Sequence, residues 1–228
     1  MVKNFKIKIY ADGANLQSIK KLNGKKYISG FTTNPTLMKK AGITDYKKFA
    51  KQVLKTVPNK PISFEVFADS LELMIKQARE ISSWGKNVYV KIPITNSKGF
   101  STSKIVKTLS DEGINLNITA IFTKHQINEI VKVLNNKSKS IISVFAGRIA
   151  DTGINPEKIM RYALKTANRK KNIEVLWAST RETFNIFEAQ KIRCHIITVP
   201  HSILNKFNLI NMNLKKLSLM TVKSFLKD

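Results

Sequence analysis

A lysine interrupts an otherwise apolar run at residues 87–94, NVYVKIPI. Val88, Val90, Ile92 and Ile94 suit a strand of a parallel sheet, and such strands are buried on both faces. A charge placed inside one is costly unless it is paired or neutralised. Within the period-two pattern Tyr89 and Lys91 share one face, and Val90 and Ile92 the other. Glu65 sits in a similar run, SFEVF, and Asp12 closes another, FKIKIYAD. A structural salt bridge would satisfy the cost of burying such charges, and so would a reactive site. Desolvation favours a neutral amine, which can attack a ketone carbon and form a Schiff base. The iminium then draws electrons from the carbon–carbon bond beyond the adjacent hydroxylated carbon, and that bond can break. One base is needed for the hydroxyl proton, and a second acid–base group for making and dehydrating the carbinolamine. Two carboxylates fill the two jobs.

Elements must bring these residues together, and the chain supplies them at regular spacing. Eight β-rich runs recur, at 5–12, 27–33, 61–67, 87–93, 115–122, 140–146, 173–179 and 194–200. Between them lie stretches of helical period such as DYKKFAKQVLKTV and SLELMIKQAREISSW. Asp69 and Ser70 offer a start for the latter helix and Gly85 a stop. Strict alternation of β and α predicts a parallel sheet, and eight units in this length predict a single-domain (β/α)8 barrel spanning 1–228. A helix over about 214–226 is expected as an addition, with Leu217, Val222 and Leu226 able to share a face. A doubly wound sheet is the competing architecture, but no G-x-G-x-x-G follows any strand.

In such a barrel the site lies at the C-terminal ends of the strands. The successive strand ends deliver Asp12, Asn34, Glu65, Lys91, then Asn117 with Thr119, Ser143 with Arg148, and Ser179 with Arg181. Singly, most have ordinary readings. Asp12 and Asn34 could cap the next helix, Thr119 could be packing, and Arg148 and Arg181 could be surface bases. Together they converge on one mouth, where two guanidinium groups and a serine suit a phosphate.

Bulk composition adds bounds. Apolar residues make up 43% of 228, an ordinary globular fraction. The 40 Lys and Arg against 15 Asp and Glu leave a formal charge of +25, which alone suggests a nucleic-acid or anionic-membrane binder. The bases instead fall in short clusters at predicted helix ends, KKLNGKK and NRKKN, without interleaved aromatics or zinc-ligand spacing. A solvated, lysine-rich surface is the simpler reading, and no specific nucleic acid and no membrane is expected as partner. The single Cys194 fits a reducing compartment. The lysines before Asp12 are not followed by an apolar signal-peptide core, and no run suits a membrane span, so a cytoplasmic location is expected.

Eight ordered segments resemble the transaldolase family. They are ADGAN (11–15), GFTTNPTLM (30–38), FEVFA (64–68), VKIPIT (90–95), GINLNITAIFTKHQ (113–126), ISVFAGRIADTG (142–153), VLWASTRE (175–182) and LSLMTVKSFLKD (217–228). The resemblance implies that Lys91 is the Schiff-base lysine and that Asp12 handles the proton of the hydroxyl beside the cleaved bond. It implies that Glu65 and Thr119 hold the catalytic water. Asn34, Asn117 and Ser143 match positions that hold the dihydroxyacetone part of the ketose, and Arg148, Arg181 and Ser179 match the phosphate site. Phosphorylated sugars are the implied substrates, with no metal and no cofactor.

Within the family, Glu65 with Phe145 resembles transaldolases. The fructose-6-phosphate aldolase-like members carry Gln and Tyr at those positions and release free dihydroxyacetone. Chain length fits the compact subgroup that contains both, and a modified sugar is a further alternative substrate. Gly13 and Ala146 depart from the usual Thr or Ser and Val. In short relatives the C-terminal helix packs on a neighbouring subunit, so a homo-oligomer, pentamer or decamer, is implied.

Overall fold

Each of the eight β-rich runs forms one strand, and each strand hydrogen-bonds to its sequence neighbours in parallel. The computed structural model describes residues 5–226. Its first half runs β1 (Lys8–Asp12), α1 (Leu16–Asn23), β2 (Ile28–Thr32), α2 (Pro35–Lys40), α3 (Tyr46–Thr56), β3 (Ile62–Glu65), α4 (Leu71–Ser82) and β4 (Val88–Pro93). The second half runs α5 (Ser103–Asp111), β5 (Leu116–Ile121), α6 (Lys124–Val133), β6 (Ser140–Val144), α7 (Ala146–Asp151), α8 (Glu157–Ala167), β7 (Ile173–Trp177), α9 (Phe184–Lys191) and β8 (Ile196–Pro200). A short α10 (His201–Leu204), a 3-10 turn (Asn205–Leu209) and α11 (Leu214–Phe225) complete the chain. β1 pairs with both β2 and β8, which closes the sheet into a (β/α)8 barrel.

Local chemistry sets the helix starts. Asn15, Asn34, Asp45, Ser70 and Thr123 each accept, through the side chain, a hydrogen bond from the backbone N–H three residues on, in the first turn of the helix that follows. Ser70 thus starts α4, as its position suggested. Asp69 does something else. Its carboxylate accepts from the backbone N–H and the hydroxyl of Ser97, tying the β3–α4 connection to the one after β4. Asp12 does not cap a helix either; Asn15 takes that place in α1.

Period two along the strands divides the core in two. Val90, Ile92, Ile118, Ile142, Val175 and their equivalents point outward and pack under the helices in one continuous apolar layer. The inward residues Tyr10, Tyr89, Ile141, Leu176, Ala178 and Ile196 form a separate small cluster inside the barrel, with Phe145 packed against it. Tyr89 is therefore inward, as expected for the residue two before Lys91. The outer layer carries most of the apolar burial, so the interior is free to hold polar side chains near its C-terminal end.

α11 falls where a terminal helix was expected, but it buries no residue against its own barrel. Leu217 is only half-buried, and Leu214, Leu219, Val222, Phe225 and Leu226 are exposed. No described helix is long and apolar enough to cross a membrane.

Candidate active site

The strand register places Glu65 opposite Lys91 on β3 and β4, and Lys91 opposite Asn117 on β4 and β5. The three side chains therefore share one level of the barrel interior. Lys91 and Glu65 are deep, with side chains 9% and 15% exposed, and Lys91 Nζ lies 3.1 Å from Glu65 Oε2. Lys91 Nζ also donates to the Thr33 carbonyl oxygen at 3.2 Å. An ammonium has three protons, so one donor is left without a partner among the described residues. The Glu65 end of β3 is itself pinned from outside the barrel: the Tyr46 hydroxyl, at the start of α3, donates to the Glu65 carbonyl oxygen at 2.9 Å.

Asp12, at the end of β1, is the second carboxyl beside Lys91. Its Oδ1 accepts from the Thr32 hydroxyl at 2.7 Å, and Thr32 Oγ1 lies 2.5 Å from Thr198 Oγ1 on β8. Burial raises the Asp12 pKa above the usual carboxylate value. The Lys91 charge and the Thr32 hydrogen bond pull it down, and the Glu65 charge pushes it further up. Desolvation wins. Asp12 is thus disposed to hold a proton.

Beyond this trio a polar ladder crosses the floor. Asn117 is fully buried; its Nδ2 donates to Ser63 Oγ at 2.9 Å and its Oδ1 accepts from Ser143 Oγ at 2.6 Å. Thr119, two residues further along β5, is also buried, and its hydroxyl has no hydrogen-bond partner among the described residues. The ladder between β5 and β6 shifts register just after Ile118, with Ala120 in the left-handed region at φ 57°. Such an irregularity re-aims side chains, and it falls where Thr119 and Ala120 meet the cavity.

The rim is built from the β6–α7 and β7–α9 connections. Phe145 is half-buried, stacks against Phe122, and carries the Arg148 guanidinium 5.4 Å above its ring. Ser179 adopts φ 64°, a strained backbone for a residue with a side chain. Gly147 explains how the two connections fit together: a Cβ there would lie 1.6 Å from the Ser179 carbonyl oxygen. Only glycine allows that approach. Gly13, the departure noted after Asp12, has a comparable reason, because a Cβ would meet the His201 ring at 2.6 Å.

All eleven side chains singled out from sequence line one cavity of about 570 Å3 at the C-terminal end of the barrel. They are Asp12, Asn34, Glu65, Lys91, Asn117, Thr119, Ser143, Phe145, Arg148, Ser179 and Arg181. Two are partly committed elsewhere. Asn34 Oδ1 caps α2 by accepting from Leu37 N–H at 2.9 Å. Arg181 forms a two-pronged ion pair with Asp151 at the exposed rim, its Nε 3.1 Å from Oδ1. Arg148 has no such carboxylate partner among the described residues and is the freer of the two cations.

Sequence reading missed several contributors. Thr32 and Thr198 hold Asp12, Thr33 supplies a carbonyl to Lys91, and Lys40 at the end of α2 joins Arg148 and Arg181 as a cation on the cavity wall. Thr32 could have been found by applying the strand-end rule to TTNPTL; Thr198 and the Thr33 carbonyl required the closed barrel. Among the described residues, no three of His, Cys, Asp and Glu cluster in a way that could hold a metal ion.

Comparison with known proteins gives consistent results. A family model described as Transaldolase/Fructose-6-phosphate aldolase matches residues 9–227. A probable transaldolase from Clostridium kluyveri is 34% identical over 224 residues, 97% of each chain. One from Thermoanaerobacter sp. is 35% identical over 199 residues, covering 87% of this chain and 88% of the relative. Among solved structures, a putative dihydrodipicolinate synthase family protein from Coccidioides immitis superposes with a TM-score of 0.63 at 14% identity, covering 87% of this chain and 68% of that one. Orotidine 5'-monophosphate decarboxylase from Metallosphaera sedula gives 0.57 at 14% identity, covering 90% and 96%. At that identity the structural likeness speaks to the barrel alone.

The environment of Asp12 has a consequence for stability. A carboxyl whose pKa is raised on folding binds its proton more tightly in the native state, so its ionisation costs stability as pH rises through and above that window. Asp12→Asn removes the charge while keeping an oxygen for Thr32. At pH 7 the variant should unfold at the same or a higher urea concentration than the parent, with any advantage lost below about pH 4. A clear loss of stability at pH 7 would show that the ionised carboxylate is favoured after all.

Proposed function

Because the chain belongs to the transaldolase/fructose-6-phosphate aldolase family, we propose that it is a transaldolase. In this reading it moves a dihydroxyacetone unit from a ketose phosphate, fructose 6-phosphate or sedoheptulose 7-phosphate, to an aldose phosphate. The observation that carries this reading is Lys91. It is a buried amine held 3.1 Å from one carboxylate and close enough to a second to lower its pKa.

The Lys91 nitrogen attacks the ketone carbon, and the carbinolamine loses water to give the iminium. Glu65 and Thr119 serve this step by handling that water; an unpaired buried hydroxyl such as that of Thr119 is costly unless a ligand or water engages it. Asp12 then takes the proton of the hydroxyl on the carbon beyond the bond to be broken. Its raised pKa suits a group that must accept a proton and return it. The bond breaks, its electrons move into the iminium to leave an enamine on Lys91, and the aldehyde fragment departs. The enamine adds to the acceptor aldehyde, Asp12 returns the proton, and water releases the new ketose. Asn34, Asn117 and Ser143 hold the hydroxyls of the three-carbon unit. Arg148, supported by Ser179 and Arg181, takes the phosphate at the rim, with Arg181 exchanging Asp151 for the ligand.

Phe145 directs the fate of the enamine. Its ring lines the cavity and has no proton to donate, so transfer to an acceptor is favoured over protonation and release of free dihydroxyacetone. We also place the enzyme in the cytoplasm, where Cys194 stays a thiol: it is buried and its pKa is pushed up to about 12 by burial.

Oligomerisation is part of the same proposal. Leu219, Val222 and Phe225 of α11 are 55%, 52% and 68% exposed and need a partner surface. We propose that a second copy supplies it, in a pentamer or decamer. Sedimentation equilibrium of the full chain should give a mass several times 25.8 kDa; a single-chain mass at micromolar concentration would reject the assembly.

Turnover of fructose 6-phosphate should require erythrose 4-phosphate, and Phe145→Tyr should raise acceptor-independent release of dihydroxyacetone at least several-fold. Both are read in a coupled assay with and without the acceptor. Parent turnover that is independent of the acceptor would assign the chain to the aldolase reaction instead, and no turnover of any ketose phosphate would remove the proposal.

A further inference from the structure

At the opposite end of the barrel lies a larger cavity, of about 1130 Å3, whose walls are the starts of β1 and β7 and the residues that lead into β3, β6 and β8. We propose that it is a second ligand site, for a small phosphate ester or polyphosphate.

The floor is formed by two tyrosines of the inner cluster, Tyr10 and Tyr89, only 2% and 7% exposed. Neither phenol hydroxyl has a hydrogen-bond partner among the described residues, although both line the cavity. With no such partner and with both side chains lining the cavity, the two hydroxyls are open donors that a ligand's acceptors can meet. Burial and the nearby Glu174 charge raise both phenol pKa values, that of Tyr89 to about 12, so both stay protonated donors at neutral pH.

The walls match. Glu174 is the one carboxylate lining the cavity, and Lys8 neutralises it at 2.8 Å. His195 Nδ1 accepts from Val175 N–H at 2.9 Å, which leaves Nε2 as the donor of its neutral ring, the form that burial favours. Lys139, Arg169 and Lys171 face the same space and pair with no carboxylate among the described residues. The cavity thus presents phenol, imidazole and cationic donors around one carboxylate, which Lys8 already engages. Its complement is a compact, acceptor-rich anion, and phosphate oxygens can take several of these donors at once.

Dispersed lysines on a chain of +25 would attract any polyanion to the rim. The phenols distinguish this place from the general surface. They belong to the buried inner cluster of the barrel, so a ligand that reaches them must enter the cavity. The two cavities share no lining residue, so both can be filled together.

Isothermal titration of the full-length protein with tripolyphosphate tests this. Saturable binding is expected at one site per chain, weakened about five- to tenfold by Tyr89→Phe and about tenfold or more by Lys139→Ala combined with Lys171→Ala. The double lysine variant should keep its sugar-transfer kcat and KM, and Arg148→Ala should keep its tripolyphosphate binding. Loss of binding in Arg148→Ala would assign the ligand to the catalytic mouth and overturn the proposal. Binding unchanged in both cavity variants would do the same. Tighter binding of a single-stranded oligonucleotide, indifferent to Tyr89→Phe, would replace it with surface nucleic-acid binding. The kinetic readout is separate, so failure of the sugar-transfer reading would leave this result standing.

Discussion

The contact between Lys91 and Glu65 is the constraint around which the barrel interior is arranged. Removing both charges from water costs several kcal/mol per ion unless geometry and further hydrogen bonds compensate. Here the ammonium meets one carboxylate at 3.1 Å and one carbonyl at 3.2 Å, and a second carboxyl lies beside it. That second carboxyl cannot ionise as freely, because burial strips it of water and the Glu65 charge pushes the same way. The buried site therefore holds both a paired amine and, through desolvation, a carboxyl disposed to carry a proton. A lone salt bridge in a core needs only the first.

Much of the surrounding structure follows from keeping this pair in place. The outer apolar layer binds strands to helices, so the interior needs few large side chains to hold the barrel. Tyr46 fixes the Glu65 carbonyl from outside, and the Ser63–Asn117–Ser143 ladder fixes the next strands from inside. Gly147 permits the close approach that sets Ser179 and Arg148 at the rim. The basic charge is divided between the two ends of the barrel. Arg148, Arg181 and Lys40 stand at the mouth, and Lys139, Arg169 and Lys171 at the other end.

How much of this was legible depends on whether the determining contact is local. The eight strands were readable because alternating β-branched residues and capped amphipathic helices are local patterns, and each run does hold one strand. The inward direction of Lys91 followed from period two and its neighbour Tyr89. The fate of Asp12 was not readable. A strand-exit Asp looks like a helix cap, yet Asn15 caps α1, and the partners of Asp12 come from 20 residues away at Thr32 and across the closure at Thr198. The Arg181–Asp151 ion pair is likewise a loop-to-loop contact between two exits. Gly13 looked like a loss of a side chain; the His201 ring that fills the space arrives only when β8 lies beside β1. α11 was readable as a helix, but that its apolar residues stay exposed on this barrel was not.

The central claim is that the Lys91 amine forms a covalent iminium with a ketose. Incubation with fructose 6-phosphate and borohydride, followed by peptide mass mapping, tests it most directly. The account predicts one reduced adduct, on Lys91, that is absent in Lys91→Met. An adduct on any other lysine, or none with fructose 6-phosphate or sedoheptulose 7-phosphate, would contradict it.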